Sequence, residues 1–108
     1  MNELTWSKGE KAAARWAFDK AYRNECAAFM KEVKAMAREL REPEDLWKLQ
    51  DSLGGRLKEI SEKYDYRYSV LIFVFARLLR EGWLAEGDLD GLGKDKIERI
   101  RNILGAIV

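Results

Sequence analysis

Residues 63–83 read KYDYRYSVLIFVFARLLREGW, and the class of the whole fold turns on them. Val70 to Ala76 are apolar without a break, and β-branched and aromatic residues of this kind also suit a strand. The flanks decide for helix. The run continues without a breaker into RLLREG, and Gly82 stands where a helix takes its left-handed C-terminal cap. Ser69 is placed to cap the start. A helix apolar on every side is a buried one, so this segment is expected at the centre of the compact part. Ahead of it, Tyr64, Tyr66 and Tyr68 alternate with charged residues.

Upstream, Ser7 and Glu10 fit a capping box, in which hydroxyl and carboxylate each satisfy a free backbone N–H. Nothing breaks a helix from there to about Arg41. Tyr22, Cys26, Phe29, Val33, Met36 and Leu40 follow steps of 4 and 3, a heptad seam. Such a helix is roughly 50 Å long, whereas a compact domain of this size is only about 30–35 Å across. Much of the seam therefore outruns the chain's own core and calls for a partner helix, most simply from a second copy in a C2 dimer. Cys26 on that seam reads as a small buried hydrophobe rather than a redox group.

A second helix starts at Pro43, where the missing N–H costs nothing, and Glu44 and Asp45 suit the positive end of its dipole. Its apolar stripe is Leu46, Leu49, Leu53, Leu57, Ile60 and Tyr64. Gly54 and Gly55 interrupt the stripe and suggest a bend or the close approach of another backbone. Residues 83–93 read as turns. A last helix begins near Lys94 and packs through Ile97, Ile100, Ile103 or Leu104, and Ile107. The expected architecture is one all-α domain over residues 1–108, with long helices that call for a partner in 1–63 and the compact helical part in 64–108.

Composition narrows function mostly by exclusion. The chain has 108 residues, enough for one core. Its charge is nearly balanced at +1, so it lacks the strong field that non-specific nucleic-acid or membrane binding needs, although balance over the whole chain still leaves room for a local basic patch. There is no histidine, which removes His-based acid–base catalysis, Ser-His and Cys-His nucleophiles and His metal ligands. One cysteine makes no internal disulfide and no Cys-cluster zinc site. Carboxylate pairs such as Glu59 and Glu62 have the spacing of a solvated helix face. No signal-like apolar run opens the chain, and VLIFVFA is far too short to span a bilayer. These features describe a cytoplasmic, soluble protein without enzyme activity.

On the second helix Trp47, Gln50, Asp51, Gly54 and Lys58 line one face at steps of 3 and 4, and Trp47 lies off the apolar stripe. A large aromatic ringed by polar groups is a typical interface anchor, and the bare glycine admits a close partner. The plainer reading has Trp47 packing on the first helix of its own dimer, at the edge of the seam. The residues alone leave both open.

DLWKLQD (residues 45–51) and EISEKYDYRYSVLIFVFARLLREG (residues 59–82) closely resemble the fluorescence recovery protein family of cyanobacteria and its wider group of relatives. The resemblance is dense from Asp45 to Gly82 and looser over the first and last helices. It implies an all-helical homodimer, with long helices pairing in an antiparallel body and a small head carrying the VLIFVFA helix. It implies no enzyme activity and no cofactor. The implied partner is the orange carotenoid protein in its light-driven red form, whose return to the orange form and release from the phycobilisome the family hastens. The family's interaction surface is similar to W-K-L-H-D followed by an arginine six residues on. Trp47 and Asp51 match it, Gln50 replaces the histidine and Leu57 replaces the arginine. Arg56 is adjacent but points about 100° away on a helix. Phe73 matches a second family contact in the head, and it also suits plain core. The two departures imply either a weakened carotenoid-protein site or a relative that keeps fold and dimer and serves another protein.

LDGLGKDKIERI, residues 89–100, resembles the hairpin of a helix-hairpin-helix nucleic-acid module, whose Gly-h-Gly turn aims backbone N–H groups at a phosphate. Against it stand Asp88, Asp90 and Asp95, which repel phosphate, and the small net charge. The favoured reading is a glycine-rich helix start with basic residues on its exposed face, without nucleic-acid binding or membrane insertion. From the length of the seam, the protein is expected to be dimeric at micromolar concentration. Light scattering checks this, and a monomer mass would refute it.

Overall fold

The computed structural model describes residues 4–107, the side chain of Ile107 excepted, so the expected Ile107 contact lies outside it. Its described residues form four α-helices, α1 (Lys8–Arg38), α2 (Pro43–Lys63), α3 (Leu71–Glu81) and α4 (Lys94–Ile107), with a 3-10 turn at Glu86–Leu89 and no strand. The fold is all-α.

The helix starts are local events. Ser7 Oγ accepts the Glu10 N–H at 3.1 Å and Glu10 Oε1 accepts the Ser7 N–H at 3.0 Å. Pro43 occupies the first turn of α2, and the Asp45 carboxylate accepts the Arg41 and Glu42 N–H groups at 2.9 and 3.0 Å. α1 stops at Arg38, short of the expected Arg41, because the chain must turn over residues 39–42 to bring α2 back. α2 then runs antiparallel along the C-terminal half of α1. Glu25 meets Lys63 and, seven residues on, Glu32 meets Arg56, seven residues back. Gly54 and Gly55 stay within the helix. A Cβ at either would meet nothing within 4 Å, so no backbone approaches them inside the chain.

After α2 the chain crosses to the N-terminal half of α1 in a strap that ends in a turn at residues 68–70. Tyr64 and Tyr66 are half-buried, Tyr68 is more exposed, and Asp65 pairs with Arg67 outside at 2.5 Å. The three tyrosines join a ladder, Tyr22–Tyr64–Phe18–Tyr66–Tyr68–Trp6, with ring centroids 4.9–5.6 Å apart, edge-on except for the tilted Trp6–Tyr68 pair. Arg15 lies 4.7 Å over the Tyr66 ring.

α3 is buried through Leu71, Ile72, Val74, Phe75, Ala76 and Leu78, and Gly82 caps it with φ +84°. Two expectations fail here. Ser69 does not cap α3: the cap position is Val70, without a side-chain bond. Nor is the apolar run buried on every side, because Phe73 is 60 % exposed on the face that α1 and α4 leave open.

The core joins α3 to Trp6, Ala14, Ala17, Phe18 and Ala21 at the α1 end of the chain, and to Leu84, Leu89, Leu92 and Ile100. The stripe that α1 turns inward is thus Ala14–Phe18–Ala21–Glu25–Phe29, offset from the expected heptad seam. Of that seam Phe29 is buried, Cys26, Val33, Met36 and Leu40 are half-buried, and Tyr22 is exposed. Alanine on α1 lets the loop after α3 come close. A Cβ on Gly91 would sit 2.4 Å from the Ala13 Cβ, inside any real contact. The molecule measures 55 × 22 × 22 Å, so the 31 residues of α1 span most of it, at about 46 Å.

Gly91→Ala should therefore destabilise the protein by about 1–3 kcal/mol through overpacking against Ala13. Gly87→Ala, where nothing lies within 4 Å, serves as the neutral control in the same urea titration. Equal midpoints for the two variants would mean that the loop yields freely.

Candidate functional site

Within the chain α2 buries only two side chains, Ile60 and Lys63. Asp45, Leu49, Leu53 and Arg56 are half-buried, and the remaining residues of the helix are exposed. Trp47 is 67 % exposed, Leu46 58 % and Leu57 50 %. Gln50, Asp51, Gly54 and Lys58 are exposed beside Trp47 on the same helix face. Among the described residues the ion pairs formed by α2 are Arg56–Glu32, Glu59–Arg77 and the contacts of Lys63, and none of them involves that face. Five of the six sequence-selected site residues are thus brought together, unengaged, on one rigid helix. Leu57 does not close over the core as its place in the apolar stripe suggests. It stands half out of a groove of about 460 Å³ between α1 and α2, with Tyr22, Ile60 and Tyr64 among its walls. Arg56 is turned away from the Trp47 face, its guanidinium 2.9 Å from Glu32 and 4.7 Å over the Phe29 ring.

Phe73, the sixth residue, belongs to a separate surface. It lines a groove of about 540 Å³ in the head with Leu4, Tyr68, Ile72 and Ile103 on the apolar side and Ser69, Arg99 and Asn102 on the polar side. Trp47 lies sixteen residues before Lys63 on α2, about 24 Å along the helix from the head. The two surfaces are therefore apart on one protomer. Periodicity pointed to Trp47 because it sits off the stripe, but it offered no signal for Arg99, which reaches Phe73 only through the packing of α3 on α4.

The junction between α2 and the head holds two of the three buried charged residues described, Glu25 and Lys63, which sequence reasoning passed over. Lys63 Nζ contacts Glu25 Oε2 and Glu81 Oε1, both at 2.6 Å. Tyr64 donates to Glu25 Oε1 at 2.8 Å, and Arg77 Nε donates to Glu81 Oε2 at 2.8 Å. Burial alone would raise the Glu81 carboxyl, but hydrogen bonds from Lys63 and Arg77 outweigh it and hold the group below the usual carboxylate range. Burial first, and then Glu25, push the Tyr64 phenol well up. Each of these groups is satisfied by another, which is the arrangement of a structural cluster. Among the described residues no group of carboxylates and thiols is placed to hold a metal ion, and no helix is long and apolar enough to cross a membrane.

The glycine hairpin at residues 89–100 is also spoken for. The Gly93 N–H, the group a phosphate would take, donates to Glu10 Oε2 at 2.7 Å. Lys96, buried, reaches the same carboxylate at 2.9 Å and the Thr5 carbonyl at 2.7 Å. A carboxylate of the chain itself thus fills the anion position.

Known proteins share this sequence pattern and this fold. The model of the photoprotection regulator fluorescence recovery protein family matches residues 6–104. The fluorescence recovery protein of Synechocystis sp. is 42 % identical over 99 residues, covering 92 % of this chain and 91 % of that one. The solved structure of the Fremyella diplosiphon fluorescence recovery protein superposes with a TM-score of 0.87 at 43 % identity, over 94 % of this chain and 99 % of that one. The Synechocystis sp. PCC 6803 structure gives 0.87 at 41 % identity, over 92 % and 97 %.

Glu10 carries a pH dependence. The Ser7 N–H first, then Lys96 and the Gly93 N–H, hold its carboxyl at about 2, below the ordinary 4.5. A depressed carboxylate stabilises the fold above its ordinary value and loses that contribution as pH falls toward its folded value. Thermal melts between about pH 5 and about pH 2 should therefore fall more steeply for the natural chain than for Glu10→Gln. Parallel acid limbs would mean that Glu10 leaves the hairpin in solution.

Proposed function

This chain belongs to the fluorescence recovery protein family, and we propose that it acts as a non-enzymatic regulator that binds the light-activated orange carotenoid protein and hastens its red-to-orange return, ending phycobilisome quenching. The observation that carries the reading is Trp47, 67 % exposed on a helix face with Asp51, where no ion pair or core contact competes for it. A regulator of this kind shifts a population by binding one arrangement of its partner better than the other, so it needs a rigid contact surface and no reaction centre. α2 supplies such a surface. The working unit is a homodimer, because the exposed Tyr22, Met30 and Leu46 leave α1 and α2 incompletely covered within one protomer. The protein works in the cytoplasm, and the Phe73 groove is a second contact for the same partner.

A second reading rests on Gln50 and Leu57. Leu57 is half-exposed, so an apolar group stands in solvent where the resembling family pattern has an arginine. A chain with this face keeps the fold and dimer while serving a different protein of more apolar surface.

Dark reversion of light-activated orange carotenoid protein, with and without this chain, separates the two. Acceleration is expected from the natural chain. Trp47→Ala should weaken binding by about 2 kcal/mol or more, as the loss of an interface anchor does, with the dimer mass unchanged in light scattering. No acceleration at saturating protein would favour the other partner, and a dissociated dimer in Trp47→Ala would make the tryptophan structural.

A further inference from the structure

We propose that Lys63 is a positioning residue, fixing the pose of α2, and with it of Trp47, against the head. Its consequence for partner binding rests on the function proposed above, but the fixing of α2 does not. Inside the chain α2 is otherwise held by the more exposed Arg56–Glu32 and Glu59–Arg77 pairs and by the half-buried Leu49 and Leu53. Ile60 and Lys63 are its two buried residues, both in the last turn, while the turns that carry Leu46, Trp47 and Gly54 lie open.

Lys63 is 5 % exposed and its partner Glu25 2 %. One ammonium group ties three helices: its own, α1 through Glu25 and α3 through Glu81. The acceptors are themselves pinned, Glu25 by the Tyr64 hydroxyl and Glu81 by Arg77 and by the Trp83 indole N–H at 3.2 Å. An apolar side chain could bury as much surface, but it would tolerate sliding and rotation. Charge-assisted hydrogen bonds are short and directional and accept one geometry. A buried ion pair adds little net stability over a well-packed apolar replacement, so its distinctive contribution here is the single pose. Distance amplifies that contribution. A tilt of about 10° about Lys63 displaces Trp47, about 24 Å along the helix, by about 4 Å.

The test replaces the buried pair together, as Glu25→Met with Lys63→Met, because removing Lys63 alone strands the Glu25 carboxylate in the core. Hydrogen exchange is followed by residue, and dark reversion of light-activated orange carotenoid protein is measured alongside. In the variant, amides of residues 45–58 should exchange about tenfold faster, with α1, α3 and α4 unchanged and the melting temperature held within about 4 °C. Acceleration of reversion should fall although Trp47 is intact. Unchanged exchange in α2 would overturn the proposal. Faster exchange in every helix, together with a lowered melting temperature, would overturn it too, by making the cluster merely structural. Faster α2 exchange with undiminished reversion would break the link to Trp47. If the natural chain itself fails to hasten reversion, the function proposed above falls, while the exchange data still decide the role of Lys63.

Discussion

At 31 residues α1 is longer than the rest of the chain can cover, and it carries α2 along one half and the head at the other. Its N-terminal half takes the head, and its C-terminal half takes α2. The division follows from side-chain size. Ala13, Ala14, Ala17 and Ala21 let the strap, α3 and the glycine hairpin approach the helix axis closely. Beyond Glu25 the inward residues are larger, and a single helix lies against them. What remains uncovered is a long rod with aromatic and aliphatic side chains standing out of it: Tyr22 and Met30 on α1, Leu46, Trp47 and Leu57 on α2. Such a shape suits contact with other proteins better than it suits chemistry. Its broadest concavities are open grooves, and its buried charges are paired with one another.

Those pairings explain how a chain with 20 basic and 19 acidic residues holds so little free charge in its interior. Two lysines are buried, and each joins parts that are distant in sequence. Lys63 joins α1, α2 and α3. Lys96 joins α4 to the Thr5 carbonyl and to Glu10, and lies 5.0 Å over the Trp6 ring. Glu10 serves three neighbours at once, capping α1 through Ser7, filling the Gly93 amide and pairing with Lys96. The hairpin that looks like a phosphate binder in the sequence is the place where the fold ties its ends together.

Much of the secondary structure was legible because its signals are local. The Ser7–Glu10 box, Pro43 at the first turn of α2 and Gly82 in the left-handed cap each depend on neighbours within a few residues. The helix reading of residues 70–81 held because a C-cap and an unbroken flank outweighed β-propensity. Ser69 misled, since it lies within the turn at residues 68–70 and the cap position falls one residue later, on Val70. The Trp47 face was legible as a face: a tryptophan out of phase with its own apolar stripe is visible in spacing alone, and the structure leaves it exposed.

The residues alone, then, determined four helices, most of their ends, and which residues share a face, because helix periodicity and capping are properties of short stretches. Only the tertiary structure decided which faces are covered. Alanine carries too little apolar surface to announce that Ala14, Ala17 and Ala21 are the centre of the core. Glu25 and Lys63, thirty-eight residues apart, read as solvent-facing charges until the two helices are brought side by side. Leu57 and Phe73 read as core until the elements that would bury them turn out to lie elsewhere. Burial depends on what packs against a residue, and that partner is set by contacts between segments far apart in the chain.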